Sequence, residues 1–268
     1  MCIRDRPYPE GRNPFRGEDI PWHDVRVREA INRAIDREAI IEEIYDNRAT
    51  PVVVPLYAPF TEGWSQRWVD EFDDKYGYDP ERSIELLAEA GYEPGEVVIE
   101  SWSTVIPGNP EIPQLLEIMS TMWEAAGFST KIQEWDFGVW LEKITEHDVY
   151  EKFLIGRNTP IRTSQEGLRV FYASEPHGFL YMFEDDVLNE SFYCLQQSVD
   201  ADEREACART GGDFIFDQYA MVPLFQITFD MTINPEFISG WQYPGVGSAH
   251  PTHSHNIKAC PTGTDRCE

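Results

Sequence analysis

Residues 97–156 alternate between two kinds of hydrophobic pattern, and this alternation constrains the fold more than any other feature of the chain. Residues 97–103, 130–135 and 153–156 each have the pattern of a short strand. Between them lie a helical stripe at residues 112–126, ended by Gly127, and a shorter helix at residues 137–144. Strands connected through helices pair in parallel, with the helices packed on the sheet faces. The predicted fold class is therefore α/β, with a mainly parallel sheet flanked by helices.

Aspartates mark the predicted starts of several helices outside this segment. Each precedes a helical apolar stripe, and side chains of this type accept hydrogen bonds from the free N–H groups of a first turn. The four aspartates are Asp24, Asp36, Asp79 and Asp200. Asp79 is followed by a proline in the first turn, and Asp200 begins a capping box. The helix after Asp200 is expected to reach about residue 219 and to be weakened by the glycine pair at 211–212.

The remaining segments give shorter predictions. Short helices are expected at residues 168–172 and 184–197, and strands at residues 221–225 and 228–232. Residues 60–78 have no clear period and are expected to be irregular.

The chain is strongly acidic. It contains 22 Lys and Arg against 48 Asp and Glu, which gives a net charge of −26 at pH 7. Nucleic acid and anionic membranes are disfavoured as partners, because binding phosphate requires clustered cations. The charge is spread along the chain, which favours a solvated acidic surface; recruitment of cationic ligands or metals is the alternative. No apolar run of about 18 residues is present, so no membrane span is predicted.

The N-terminus and the cysteines bear on the compartment. Residues 1–6 (MCIRDR) lack the apolar core of a signal peptide, and we interpret them as an adapter scar outside the domain. The spacing of Cys194 and Cys207 would allow them to bridge an antiparallel helix pair, and Cys260 and Cys267 would close a small loop near the C-terminus. Disulfides would indicate an oxidising, extracytoplasmic compartment, and ordinary buried thiols are the alternative.

Several motifs resemble one family in order and spacing. Residues 25–38 (VRVREAINRAIDRE) and 78–92 (YDPERSIELLAEAGY) are similar to two helical motifs, "VR-A-x-AIDR" and "YDPEKA…LLAEAGY". Both belong to the extracellular solute-binding proteins that serve peptide and nickel importers. Residues 222–225 (VPLF) and 234–241 (NPEFISGW) resemble that family's closing segments, and the agreement extends from about residue 13 to about residue 244.

The resemblance implies a domain organisation. It implies one lobe of a periplasmic-binding-protein type II-like fold, and the family's first half has no counterpart in the chain. Residues 7–23 would be the end of the first lobe and the hinge, and residues 24–221 would be the second lobe. Residues 222–268 would return into the first lobe and form the C-terminal tail.

The resemblance also implies a function. The protein would be the extracytoplasmic solute receptor of an ABC import system, with an oligopeptide or similar small solute and a membrane permease as its partners. It would be monomeric and have no cofactor. It would lie in the periplasm or at the cell surface, and its full-length form would be lipid-anchored or secreted. The alternatives are a receptor for a metal or nickel chelate and an α/β enzyme such as a hydrolase, since a fold does not fix a function.

The candidate ligand-binding residues follow from the predicted sheet. Ligands of open α/β sheets bind beyond the carboxyl ends of the strands. Trp102 and Trp135 lie at two of these ends, where they would contact a ligand or serve as core aromatics. Arg157, Asn158 and Arg162 follow the third strand. Either arginine would hold a carboxylate, and a surface ion pair is the alternative.

One departure from the family's pattern leaves the solute open. The resemblance implies that peptide-binding members carry an aspartate after the third strand, which anchors a free amino terminus. Residues 158–162 (NTPIR) contain no acid at this place, and Glu166 is a weaker candidate further along. The receptor function is therefore better supported than a peptide with a free amine.

No metal site and no catalytic residue are predicted. His250, His253 and His255 lie near Cys260 and Cys267, but their Pro-, Ser- and Gly-rich segment is more typical of a solvated tail than of a zinc site. The chain lacks a Gly-x-Ser-x-Gly elbow, a phosphate loop, a dinucleotide fingerprint and a His-Glu-x-x-His motif. We therefore expect a binding protein rather than an enzyme.

Overall fold

The computed structural model describes residues 20–145, 152–156, 163–171, 185–227, 234–241 and 257–259. After a 3-10 turn at Pro21–His23, the helices are α1 Val25–Arg33, α2 Arg37–Tyr45, α3 Gln66–Asp70, α4 Phe72–Tyr76, α5 Pro80–Glu89, α6 Ile112–Ala125, α7 Phe137–Thr145, α8 Ser164–Phe171, α9 Asp186–Gln197 and α10 Ala201–Asp217. The strands are β1 Ala49–Pro51, β2 Val98–Ser103, β3 Ser129–Glu134, β4 Lys152–Leu154, β5 Phe225–Ile227, β6 Ile238–Trp241 and β7 Ile257–Ala259. None of the described helices is both long and apolar enough to cross a membrane.

The predicted aspartate caps are confirmed. Each aspartate accepts a hydrogen bond from a backbone N–H of the turn that follows it, and this bond satisfies a donor that has no partner inside the helix. The acceptor and donor pairs are Asp24 with Arg26, Asp36 with Ala39, Asp79 with Arg82 and Asp200 with Glu203, all at 2.9 Å. The starts of α1, α2, α5 and α10 are therefore fixed by local chemistry.

Strands β2, β3 and β4 form the parallel sheet that the alternation predicts. Strand β2 is central, with β3 on one side and β4 on the other. The β2–β3 register runs from Val98 opposite Ser129 to Ser103 opposite Glu134, and Trp102 lies opposite Leu154 of β4. The carboxyl ends of the three strands consequently lie along one edge of the sheet.

The first of two hydrophobic cores surrounds this sheet. Its fully buried members include Val27, Ile35, Ile99, Leu116, Met119 and Trp123. The indole of Trp123 on α6 donates to the carbonyl of Ile31 at 3.1 Å, in the last turn of α1. This bond holds α6 against the end of α1.

The second core is helical, and one prediction fails there. Helices α3, α4, α8, α9 and α10 pack around Trp68, Tyr76, Phe192 and Phe216. Residues 60–78 were predicted to be irregular, which is wrong, because they contain α3 and α4. Trp68, Phe72 and Tyr76 recur every four residues and are all buried, so burial in this core stabilises two helices that are too short to be stable alone.

Helix α10 continues through the glycine pair that was expected to weaken it. A methyl group on Gly212 would come within 2.4 Å of Trp68 Cη2. One on Gly211 would come within 3.3 Å of Leu168 Cδ1 and Ser191 Cβ. The two glycines therefore allow α3, α8 and α9 to approach the backbone of α10.

A disulfide joins α9 to α10. Cys194 and Cys207 are bonded, with a Cα–Cα distance of 6.0 Å, so the predicted bridge between two neighbouring helices is confirmed. Cys260 and Cys267 lie outside the described residues.

The predicted strand at residues 221–225 is only partly correct. Strand β5 begins at Phe225 and pairs antiparallel with β1. Before it, the carbonyls of Met221 and Pro223 accept from the side chains of Asn32 and Arg37, at 3.4 and 2.6 Å, and Pro223 has no N–H to donate. The predicted strand at residues 228–232 lies outside the described part of the chain.

Removal of the disulfide by Cys194→Ser with Cys207→Ser is expected to lower the free energy of unfolding by about 3 kcal/mol, because the bridge restricts the unfolded chain. Urea denaturation with and without dithiothreitol measures this effect. The double variant serves as the control and should not respond to the reductant. If dithiothreitol lowers the free energy of unfolding of both proteins equally, the effect comes from another cysteine.

Gly212→Ala is expected to lower the free energy of unfolding by about 1–3 kcal/mol, because the new methyl group would overlap the Trp68 ring. This outcome is opposite to intrinsic helix propensity, which favours alanine by about 1 kcal/mol. Thr210→Ala, at an exposed position of the same helix, is the control and should be close to neutral. Thermal unfolding compares the variants, and a more stable Gly212→Ala protein would contradict the close approach of Trp68.

Candidate ligand-binding site

The candidate site lies at the carboxyl edge of the parallel sheet. Strands β2 and β3 end side by side, and the N–H of Trp135 donates to the carbonyl of Ser103 at 2.9 Å, one residue beyond the end of β3. This bond continues the ladder past Glu134 and fixes the backbone from which the Trp135 side chain projects. The two tryptophans that the sequence predicted for this edge are thus brought together.

Trp102 and Trp135 are in contact. Their ring centroids are 5.5 Å apart and the ring planes are inclined at 63°, an edge-to-face arrangement that is favourable for aromatic pairs. Trp102 is 6% exposed and belongs to the first core, whereas Trp135 is half-buried. Trp102 therefore forms the floor of this edge, and Trp135 has surface left for a ligand.

Lys143 on α7 adds a positive charge that sequence reasoning missed. Its Nζ lies 4.8 Å from the ring centroid of Trp135 and 5.4 Å from that of Trp102, within the range of cation–π attraction. The start of α7 is positioned by Asp136, whose Oδ1 accepts from the Gly138 N–H at 2.9 Å. No signal in the sequence indicated Lys143, because the rule for strand ends places the start of the following helix at the ligand edge, whereas Lys143 lies in the last turn of α7.

Several buried polar atoms near this edge have no hydrogen-bond partner among the described residues. They are the indole Nε1 of Trp135 and of Trp140, and the hydroxyls of Ser101 and Thr104. Leaving such a group unpaired costs about 1–3 kcal/mol. Their partners are therefore a ligand, water or residues outside the described ranges. Both indoles can only donate, whereas the two hydroxyls can donate or accept. The exposed carboxylates of Glu134 and Asp136 add acceptors at the same edge.

Apolar surface completes the edge. Val105, just after β2, is 56% exposed, and Val139 on α7 is 39% exposed. Ligand sites are mostly apolar with a few placed polar groups. The arrangement can hold an apolar group against Trp135 and the valines, and an acceptor oxygen against the donors.

The other predicted residues give a mixed result. Arg157, Asn158 and Arg162 lie outside the described residues, as do the histidines and cysteines of the tail. Glu166 lies on α8, where both carboxylate oxygens accept from Arg169 at 2.9 Å. This pairing makes Glu166 a poor anchor for a ligand amine. Among the described residues, no group of three His, Cys, Asp or Glu side chains is placed to hold a metal ion.

A family model matches the sequence over residues 14–177. It describes the middle part of family 5 of the bacterial extracellular solute-binding proteins. The match includes α1 to α7, the parallel sheet and the edge just described.

Two curated relatives match part of the chain. Heme-binding protein A of Haemophilus influenzae is 32% identical over 137 residues, which is 50% of this chain and 24% of that protein. The dipeptide-binding protein of Escherichia coli is 32% identical over 125 residues, which is 46% of this chain and 22% of that protein. The chain thus matches about a quarter of the length of these relatives, both of which are solute-binding proteins.

A solved structure shows the same fold. The periplasmic binding protein DppA from Helicobacter pylori, which is associated with an ABC transporter and was solved in complex with the peptide STSA, superposes with a TM-score of 0.64 at 23% identity. The alignment covers 77% of this chain and 39% of that protein. The predicted periplasmic-binding-protein type II-like lobe is confirmed.

The indole of Trp140, for which the described residues offer no hydrogen-bond partner, can be compared with the bonded indole of Trp123. Trp123→Phe leaves the Ile31 carbonyl without its donor, so it should lower the free energy of unfolding by about 1–3 kcal/mol more than Trp140→Phe does. Both residues are buried in the first core, which makes Trp140→Phe the matched control for lost ring area. Urea denaturation measures the difference. Equal losses would mean that the Trp140 N–H is bonded in the folded protein.

Proposed function

We propose that this chain, which belongs to family 5 of the bacterial extracellular solute-binding proteins, supplies one lobe of a receptor that binds a small solute between two lobes for an ABC importer. The half-buried Trp135, with Lys143 over its ring, is the observation that supports a solute site at the sheet edge. The partners would be an oligopeptide or similar solute and a membrane permease, and the receptor would act as a monomer.

The proposed domain organisation agrees with how the chain returns on itself. Residues 7–23 would end the first lobe, residues 24–221 would form the second lobe, and residues 222–268 would return to the first. The two proposed crossings are close together, because Arg28 donates both to the carbonyl of His23 and to that of Gln218, at 3.0 and 2.7 Å. Two lobes that close on a ligand need crossings at one place, where a hinge can form.

The proposed ligand contacts divide into floor, wall and anchors. Trp102 would form the floor, Trp135 the wall, and Arg157, Asn158 and Arg162 the charged and polar anchors that follow β4. The donors at this edge suit the carbonyl and carboxylate oxygens of a peptide-like solute, and the valines suit its side chains. The lack of an acid at residues 158–162 supports a solute that does not depend on a free amine.

The compartment and the absence of catalysis are further parts of the proposal. The receptor would lie in the periplasm or at the cell surface, with the full-length protein secreted or lipid-anchored. The Cys194–Cys207 disulfide supports an oxidising compartment. The curated relatives are binding proteins, which supports a receptor rather than an enzyme.

Differential scanning fluorimetry with free and N-acetylated di- and tripeptides tests the proposal. A ligand at a hundred times its Kd should raise the free energy of unfolding by about 2.7 kcal/mol. Acetylation should have little effect, because residues 158–162 offer no carboxylate to an amine. A nickel–histidine complex and a neutral oligosaccharide extend the panel to other solute classes, and chromatography of the peptides afterwards detects hydrolysis.

Trp135→Ala should weaken binding about tenfold or more, since it removes the aromatic wall of the site. Trp64→Ala is the matched control: Trp64 is also half-buried, but it packs against Trp68 in the second core. Equal effects of the two variants on a panel member that stabilises the protein, or turnover of a peptide, would each contradict the proposed site.

A further inference from the structure

Three polar side chains lie buried where the two hydrophobic cores meet. Arg28 is 9% exposed, Asn32 is 1% exposed and Arg37 is 6% exposed. They extend from α1 into the first turn of α2, and α1 also carries buried Val27 and Ala30 of the first core. One face of helix α1 therefore packs apolar side chains against the first core. Its buried polar side chains contact the chain that follows α10, a helix of the second core.

Arg28 contacts two chain segments that are far apart in the sequence. One terminal nitrogen donates to the carbonyls of Trp22 and His23, at 2.7 and 3.0 Å. Its Nε donates to the carbonyl of Gln218 at 2.7 Å, and the other terminal nitrogen lies 3.4 Å from Gln218 Oε1. One guanidinium thus binds the segment before α1, residues 20–24, and the segment after α10, residues 218–223.

Asn32 and Arg37 hold the second of these segments further along. Asn32 Nδ2 donates to the Met221 carbonyl at 3.4 Å, and Arg37 Nε donates to the Pro223 carbonyl at 2.6 Å. Arg37 also donates to Asn32 Oδ1 at 3.1 Å and to the Tyr76 carbonyl at 3.0 Å. The carbonyls of residues 218, 221 and 223 are therefore held by side chains of one helical region.

Because both arginines are buried, loss of their hydrogen-bond acceptors would be costly. Desolvation lowers the pKa of Arg28 and the pKa of Arg37 to about 10, so both side chains are charged at neutral pH. A buried guanidinium whose acceptors move away is left as a poorly compensated charge. Lysine cannot replace it, because an ammonium does not reproduce the planar fork that reaches two segments at once.

We propose that Arg28 is a positioning residue that couples residues 20–24 to residues 218–223, so that the two segments open and move as one unit. If the proposed function holds, these segments are the two crossings between the lobes, and their coupling restricts lobe closure to one concerted motion. The coupling itself does not depend on a ligand, so it can be tested on this chain separately from binding.

Native-state hydrogen exchange tests the coupling in the unaltered protein. The probes are the amides of His23 and Asp24 in the first segment and of Gln218 and Ala220 in the second, all of which are hydrogen-bonded. Coupled segments should open with one free energy and one dependence on denaturant. Different opening free energies or denaturant dependences for the two pairs would overturn the proposal without any variant.

Arg28→Lys then tests the role of the side chain. Exchange at both pairs of amides should become at least about tenfold faster, because hydrogen bonds to a charged group are lost at both segments. Amides of β2 and β3 should exchange as before, which separates a local effect from global unfolding. Acceleration in only one segment, or in neither, would contradict the proposal.

Arg33→Lys is the matched control on the same helix. Arg33 is also largely buried, but its side chain donates to Glu29 at 2.7 Å and to the carbonyl of Asp74, not to a backbone carbonyl of either segment. Its link to the second segment is indirect, since Glu29 also accepts a hydrogen bond from the Tyr219 side chain, and lysine keeps the positive charge beside Glu29. Both pairs of amides should keep their exchange rates in this variant. Acceleration equal to that in Arg28→Lys would mean that any disturbance of α1 releases the segments, and Arg28 would then have no special part.

Discussion

Helix α1 lies between the two hydrophobic cores, and the rest of the structure depends on how its two faces are satisfied. Val27, Ala30 and Ile31 are buried against the parallel sheet. Burial of apolar surface is favourable but has no preferred direction. The hydrogen bonds of Arg28 and Asn32 to the chain beyond α10 do have directions, and a satisfied buried polar network specifies a single arrangement. The sheet therefore stabilises α1, while the polar side chains decide where the helical core lies beside it.

The second core has its own fixed geometry. The disulfide joins α9 to α10, and Asp213 accepts from Trp68 Nε1 and from Arg67, both at 2.7 Å. Burial alone would raise the pKa of Asp217, but hydrogen bonds from Arg67 and Lys75 outweigh it and lower the pKa. Asp217 is thus ionised at neutral pH and serves as an internal partner. Under the proposed coupling, change between the two cores would be confined to the segments that Arg28 touches.

The sequence predicts those parts of the fold whose causes are local. The caps at Asp24, Asp36, Asp79 and Asp200 act within one turn, and the sheet follows from a repeated alternation, so both were predicted correctly. The failures have causes that lie far away in the sequence. Helices α3 and α4 depend on burial against α10. The carbonyls of residues 221 and 223 are held by Asn32 and Arg37, so that pairing with the chain beside β1 begins only at Leu224. A local pattern carries no information about such partners.

The same distinction applies to the candidate site. The rule for strand ends placed Trp102 and Trp135 at one edge, but no rule indicated that the floor residue would be 6% exposed or that Lys143 would cover both rings. The net charge of the chain is also a poor guide to the ligand that this site would bind. A chain with a charge of −26 suggests attraction of cations, yet interactions between exposed charges are largely screened beyond about 10 Å in ordinary salt. At this edge an ammonium and indole donors lie beside the exposed carboxylates of Glu134 and Asp136, so the placement of individual groups, and not the net charge, decides which ligand atoms fit.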